Sequence, residues 1–324
     1  MVKVRKEQPL HVDGRVNLAL WLTQLQEKNP GFDLKRLELA CDLSEKAEER
    51  AALTNTLWAS GRSSYRTGLD MADILSELRM DEDGIVAAII YRAVRENQIT
   101  LNHVRKQFGD NVATLVEGVL RMAAISNIRI SDESVLGEHK DQLEQAKRLL
   151  VAIVDDVRVA LIKLAERTCA VREIGRDKPE RQVRLAREVM DIYAPLAHRL
   201  GIGQIKWELE DLAFRYTEPL AYKRIASLLD EKRTDRQNYI DRVIATLNDK
   251  LAMINVDAEL DGRAKHIYSI WRKMRNKSIT FSQVYDVRAV RILVPEDNDC
   301  YRVLGIVHNL WRNLPYEFDA YVAS

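Results

Sequence analysis

The sequence is poor in cysteine. Cys41, Cys169 and Cys300 are odd in number, far apart and without a C-x-x-C pair, so neither a disulfide framework nor a zinc knuckle is expected. It also lacks a charge of one sign: 50 Lys/Arg against 49 Asp/Glu leave a net charge of +1. That excludes a general polyanion binder, so any anion site must be local. No run of about eighteen apolar residues exists, and Met1-Val2-Lys3-Val4-Arg5-Lys6 is not followed by a signal-peptide core. A cytoplasmic chain without membrane contact is expected. Thirteen glycines and seven prolines force few turns, which favours long helices. What is present, 46% hydrophobic and 31% charged residues over 324 positions, describes a soluble globular chain long enough for two domains.

The first 250 or so positions read as helices. Met71, Ile74, Leu75 and Leu78 recur at helical spacing, as do Ile85, Ala88 and Ile89. One helix is expected through residues 141–174, with Leu149, Leu150, Ile153, Val154, Val157, Leu161 and Leu164 among its apolar positions. Gly201 and Gly203 mark a break before Ile205, Leu209, Leu212 and Ala213 line another face. The mixed-charge run around "DEKRTDRQ" reads as a long, solvated connecting helix. After Met253 the texture changes. "NVDAEL" alternates like a half-buried strand, "DVRAVRILV" is rich in β-branched residues, and a helix is expected around "CYRVLGIVHNLW". The order strand, helix, strand, helix predicts an all-helical domain followed by the start of an α/β or α+β one.

Between those two strands lies "DGRAKHIYSIWRKMRNK", which carries six Lys/Arg and one acidic residue. On a helical wheel Ser269 and Arg272 fall within about 40° of Lys265, and Lys273 at about 80°. Ile267, Ile270, Trp271 and Met274 collect on the other side. Gly262 and Arg263 would let a loop and helix start approach an anion closely. Lysine supplies a mobile point charge for phosphate oxygens. On pattern alone, a solvated amphipathic helix is the plainer alternative. Asp286, at the edge of the next strand, tilts the balance, because Mg²⁺ usually takes one or two carboxylates and completes its shell with waters and phosphate oxygens. A strand-end turn or an ion pair with an arginine would explain Asp286 equally well. Strict alternation sets Asp286 and Arg291 on opposite faces, so a bulge, strong twist or strand-end position is needed to bring them to one site.

These residues resemble a known family. "GRAKHIYSIWRKM…FSQVYDVRAVRI" closely resembles the synthetase core of the RelA/SpoT alarmone enzymes, and the likeness extends through "LVAIVDDVRVALIKLAERTCAVREI" and "DIYAPLAHRLGIGQIKWELEDLAFRY". It covers most of the chain, is weakest before Leu53, and is closest to the single-function synthetase type. The resemblance implies a helical HD-like pseudo-hydrolase domain with an N-terminal extension over 1–186, a helical linker over 187–252 and the N-terminal part of a nucleotidyltransferase-like mixed α/β synthetase domain over 253–324. It implies transfer of the β,γ-pyrophosphate of ATP to the 3′-hydroxyl of GTP or GDP. Arg263 and Arg291 would flank the adenine, Lys265, Ser269 and Lys273 would hold the phosphates, and Asp286 would hold Mg²⁺. Ribosomes stalled with uncharged tRNA are implied as partners through C-terminal domains, and self-association is left open.

The sequence also departs from the family's pattern. The resemblance implies a hydrolase metal held by His and Asp, yet no His-Asp dipeptide occurs. Thr67 stands for the first His, Tyr91-Arg92-Ala93-Val94-Arg95-Glu96 for H-D-x-x-E-D, and Glu166 and Ala170 for the later Asp and Asn. Arg92 and Arg95 would repel a metal, so a dead hydrolase site is expected, its shell kept for packing or regulation. The family's guanine-stacking Tyr and the Glu of its E-x-Q motif would lie beyond Ser324, so half a site and little synthesis by these residues alone are expected. Glu317-Phe318-Asp319 matches the acidic E-x-D-D of single-function synthetases, with Ala320 replacing the last Asp. Its role is open, and an exposed loop with nothing bound is as good a reading. The rival reading of the whole is a non-catalytic, nucleotide-sensing module built around Tyr91, Arg92 and Arg95. Elsewhere, the six histidines show no ligand spacing, although His266 sits beside Lys265. Asp155 and Asp156 read as polar positions on a helix, and Trp271 and Trp311 as core.

Overall fold

The computed structural model describes residues 8–53, 63–128, 156–229 and 233–312. They form two compact units that divide between Thr217 and Glu218. The first is helical: α1 (Leu18–Lys28), α2 (Leu34–Leu53), α3 (Ser64–Glu77), α4 (Glu82–Arg95), α5 (Leu101–Phe108), α6 (Asp110–Ile128), α7 (Val157–Arg172), α8 (Pro179–Glu188), α9 (Ala194–Arg199) and α10 (Gly203–Thr217). Side chains of Asn17, Ser63, Asp81, Thr100 and Asp156 accept from backbone amides at five of the helix starts, satisfying donors that the first turn leaves without partners. A π-helical turn, Val189–Tyr193, carries α8 into α9. Gly201, at φ +74°, follows α9 in the left-handed conformation that glycine adopts without strain.

Helix α4 is the centre of this unit. From Gly84 to Val94 every residue is buried, as a helix apolar on all sides must be. Gly68 brings α3 against it: a Cβ there would stand 2.6 Å from the carbonyl oxygen of Ile89, so a larger residue would force the helices apart. The single helix expected over 141–174 is corrected. Asp156 is extended (φ −159°, ψ 115°) and caps α7, its carboxylate accepting from the Arg158 amide at 2.9 Å. Asp156 is therefore a cap rather than a position within a helix. Asp155, Leu149, Leu150, Ile153 and Val154 lie outside the described residues, as do His139, Glu317, Asp319 and Ala320.

The second unit holds α11 (Pro219–Leu228), α12 (Arg233–Met253), β1 (Glu259–Ala264), α13 (Ile267–Lys277), β2 (Arg288–Leu293) and α14 (Asp297–Leu310). β1 and β2 form a two-stranded antiparallel sheet, with Glu259 opposite Leu293 and Ala264 opposite Arg288. The first strand is displaced from its expected place in "NVDAEL": it begins at Glu259 and runs on through Asp261–Ala264, because pairing with β2 keeps those residues extended. Helix α12 is more than a solvated connector. Ile240, Leu247 and Leu251 are buried and Ile244 half-buried, an i, i+4, i+7, i+11 stripe hidden among charges.

That stripe explains Gly262. A Cβ at this position would lie 2.2 Å from Ile240 Cγ2 and 2.9 Å from Ile244 Cδ1. The glycine therefore sits within a strand and admits α12; it is not the anion-approaching loop expected from sequence. Helix α13 packs as its pattern predicts. Ile270 is buried with Ile225, Leu229 and Val284, and Ile267, Trp271 and Met274 close around them. Burying one such side chain contributes about 2 kcal/mol. Trp311 is corrected: it lies exposed just after α14 rather than in the core.

Candidate functional site

Residues predicted to act on an anion converge where β1, α13 and β2 meet. Lys265 is not on the helix, as its wheel position assumed. Helix α13 starts at Ile267, and the Lys265 amide donates to the Val287 carbonyl at 2.8 Å. The strand ladder thus runs one step past Ala264 and delivers Lys265 beside Asp286. That aspartate precedes β2 in a 3₁₀ turn, Tyr285–Val287, at φ −86° and ψ 33°. Because Asp286 stands at the strand end, in a turn, strand alternation does not govern it. Lys265 Nζ donates to Asp286 Oδ2, and Lys273 Nζ donates to Oδ1 at 2.7 Å. Burial would raise the Asp286 pKa, but the two ammonium groups hold it below the usual carboxylate value. So Asp286 is both a strand-end turn and an ion pair, with two lysines rather than an arginine as partners.

Ser269 lies one turn before Lys273 on α13, on the same helix face. Arg291 is elsewhere. It is exposed on β2 and reaches its cross-strand partner Asp261 at 3.6 Å. Arg263 pairs by its backbone with Ala289, two positions along β2 from Arg291. His266 is buried at the N-cap position of α13.

The expected remnant of a hydrolase site is a second cluster, on α3, α4 and α7. Glu166 is fully buried. It accepts from Arg95 Nη1 at 3.1 Å and Lys163 Nζ at 2.8 Å, and lies 3.5 Å from Arg167 Nε. Arg167 in turn lies 3.4 Å from Glu188 and stacks 5.2 Å from the ring centre of Tyr193. Beside them Arg92 pairs with Glu96 at 3.5 Å, and Ser64 donates to the same Glu96 oxygen at 2.5 Å. Thr67 turns its hydroxyl back to the Ser63 carbonyl at 2.8 Å. Tyr91 and Ala170 are buried. Burial would raise the Glu166 pKa, but Lys163, Arg167 and Arg95 hold it well below the carboxylate range. Burial, with Arg167 beside it, pushes Lys163 down to about 7. Among the described residues no group of three or more His, Cys, Asp or Glu could hold a metal ion.

Two family models match the chain. An HD domain covers residues 40–203, and a region found in RelA/SpoT proteins covers 262–324. The chain is 48% identical over 259 residues to a GTP pyrophosphokinase of Escherichia coli strain K12, covering 79% of this chain and 34% of that protein. A GTP pyrophosphokinase of Photobacterium angustum is 46% identical over 258 residues, with the same coverage. The chain belongs to the RelA/SpoT family. Another relative, a probable guanosine-3′,5′-bis(diphosphate) 3′-pyrophosphohydrolase of Synechocystis, is 39% identical over 264 residues, 81% of this chain and 34% of its own length. This RelA/SpoT chain thus spans about a third of the length of these curated relatives. Its lysine–aspartate cluster falls within the RelA/SpoT match and its buried cluster within the HD match. Among the described residues no helix is long and apolar enough to cross a membrane.

Sequence reasoning found Glu166 but missed Lys163 and Arg167. The signal was there, since Lys163 lies three residues before Glu166 and therefore shares its helix face. A depressed lysine pKa has a measurable consequence. Between pH 7 and 9 an unfolded Lys163 keeps its proton while the folded one loses it, so the unfolded state binds more protons and stability rises with pH. A rise of up to about 1.4 kcal/mol per pH unit is expected. Denaturant unfolding of the helical unit across this range checks it, and Lys163→Met should flatten the slope.

Proposed function

We propose that this RelA/SpoT chain carries the ATP and Mg²⁺ half of a (p)ppGpp synthetase site, in a synthetase region over 253–324 of nucleotidyltransferase-like α/β type. A helical linker over 187–252 would join it to a pseudo-hydrolase region over 1–186. The observation that carries the reading is the convergence of Lys265 and Lys273 on Asp286. Two ammonium groups that meet the two oxygens of one carboxylate suit adjacent phosphate oxygens. A half-exposed carboxylate between them suits Mg²⁺, which would neutralise charge on the transferring phosphoryl group. Ser269 would add a hydroxyl donor, while Arg263 and Arg291 would flank the adenine. The acceptor would be GTP or GDP. On this reading the acceptor-side Tyr and Glu that the resemblance implies would not be among residues 1–324, and (p)ppGpp formation by these residues alone should be feeble. Ribosome and uncharged-tRNA contacts would belong to other parts of the protein.

The hydrolase site is, on this reading, lost. Three cations surround Glu166 where a metal would require several ligands, and electrostatics there disfavour a divalent ion. Burial speaks against a nucleotide-sensing role for Tyr91 and Arg92, which are 0% and 2% exposed, and Arg95, a quarter exposed, already donates to Glu166. Manganese-dependent degradation of ppGpp should be absent. Isothermal titration with a nonhydrolysable ATP analogue and Mg²⁺ tests the synthetase reading. Lys273→Ala should weaken binding about tenfold or more; equal affinity for the two proteins would count against the site.

A further inference from the structure

The lysines and the aspartate of the candidate site saturate one another. Each Asp286 oxygen accepts from one ammonium, Lys265 on one side and Lys273 on the other. Both lysine side chains are about four-fifths buried, and their carboxylate is only about half exposed. The cluster therefore holds a carboxylate in the place where phosphate oxygens would go. We infer that Asp286 is an intramolecular stand-in for phosphate, and that a triphosphate displaces it efficiently only when a divalent cation arrives to take the carboxylate. The inference rests on the phosphate-binding reading above and adds a rule of occupancy to it.

A triphosphate entering alone must break both lysine–carboxylate contacts and leave Asp286 negative beside its own negative charge. A divalent cation entering alone meets a carboxylate whose two oxygens are engaged and two ammonium groups that repel it. When both enter, every charge exchanges one opposite partner for another: the lysines pass from carboxylate to phosphate, and the carboxylate from lysine to metal. Binding of metal and triphosphate is then mutually reinforcing, and by linkage each strengthens the other by the same factor. The position of Lys265 makes this exchange local. Its backbone is fixed by the Lys265–Val287 ladder bond, so only side-chain rotation is needed.

Titration of the 324-residue chain with a nonhydrolysable ATP analogue, in EDTA and then in Mg²⁺, reads the rule directly. For the unmodified protein, Mg²⁺ should tighten binding by about tenfold or more, as expected for exchange of two partly buried ion pairs. Asp286→Asn keeps the shape and releases both lysines. It should bind the metal-free analogue about tenfold more tightly than the unmodified protein does, and should respond little to Mg²⁺. Glu259→Gln, an exposed carboxylate at the far end of β1, removes the same charge without touching the cluster and should leave metal-free affinity unchanged. Metal-free affinity in Asp286→Asn equal to or below that of the unmodified protein would overturn the inference while leaving the phosphate site standing. An equal gain in Glu259→Gln would also overturn it, by assigning the effect to net charge. No binding by any of the proteins would remove the site and the inference together.

Discussion

Glu166→Gln should destabilise the helical unit by about 3–5 kcal/mol, because it leaves buried cations without their shared counter-charge. Arg95, Lys163 and Arg167 all approach Glu166. Its loss strands Lys163, the most deeply buried of them. The prediction carries its own control. Lys163→Met added to Glu166→Gln should recover a large part of the loss, since the residual cluster then holds one fewer uncompensated charge, and apolar replacement of a buried ion pair is often tolerated. Urea denaturation of the single and double variants measures this. A loss below 1 kcal/mol in Glu166→Gln would mean that the charges do not hold α4 and α7 together.

Gly262→Val should destabilise the second unit by about 1–3 kcal/mol through overpacking. Propensity alone predicts the reverse, since valine favours strands and glycine does not. The deciding contact is Ile240, whose Cγ2 stands 2.2 Å from where a Cβ would sit. Because that methyl group belongs to a β-branched side chain with few rotamers, it cannot simply swing away. Ile240→Ala removes it. The two substitutions should therefore be non-additive, with a favourable coupling of about 1 kcal/mol or more, seen in a double-mutant cycle of unfolding free energies. As β1 delivers Lys265 to Asp286, Gly262→Val should also weaken binding of the ATP analogue.

Much of this architecture was legible in the sequence because it rests on periodicity and on residue type. The apolar face of α13, the two strands and the helical N-terminal unit follow from spacing. Lys265, Lys273 and Asp286 could be named in advance, although the reason they meet was misread. A wheel drawn through Lys265 assumed a helix, whereas a strand ladder extended by one hydrogen bond does the positioning. The separation of Asp286 from Arg291 likewise looked like a conflict only while both were counted along one strand. The buried stripe of α12 escaped notice because its charged neighbours dominate the local composition. Long-range contacts such as Gly262 with Ile240, or Arg95 with Glu166, join positions 22 and 71 residues apart. No local pattern announces them.

The claim at the centre of this account is that Lys265 and Lys273 hold phosphate once Asp286 passes to a metal ion. A crystal structure of the chain with a nonhydrolysable ATP analogue and Mg²⁺ tests it most directly. The expected result is phosphate oxygens about 3 Å from both Nζ atoms, with the ion about 2.1 Å from an Asp286 oxygen and both lysine–aspartate contacts broken. Nucleotide bound away from this cluster, or bound beside it with Asp286 still held by both lysines, would contradict the account.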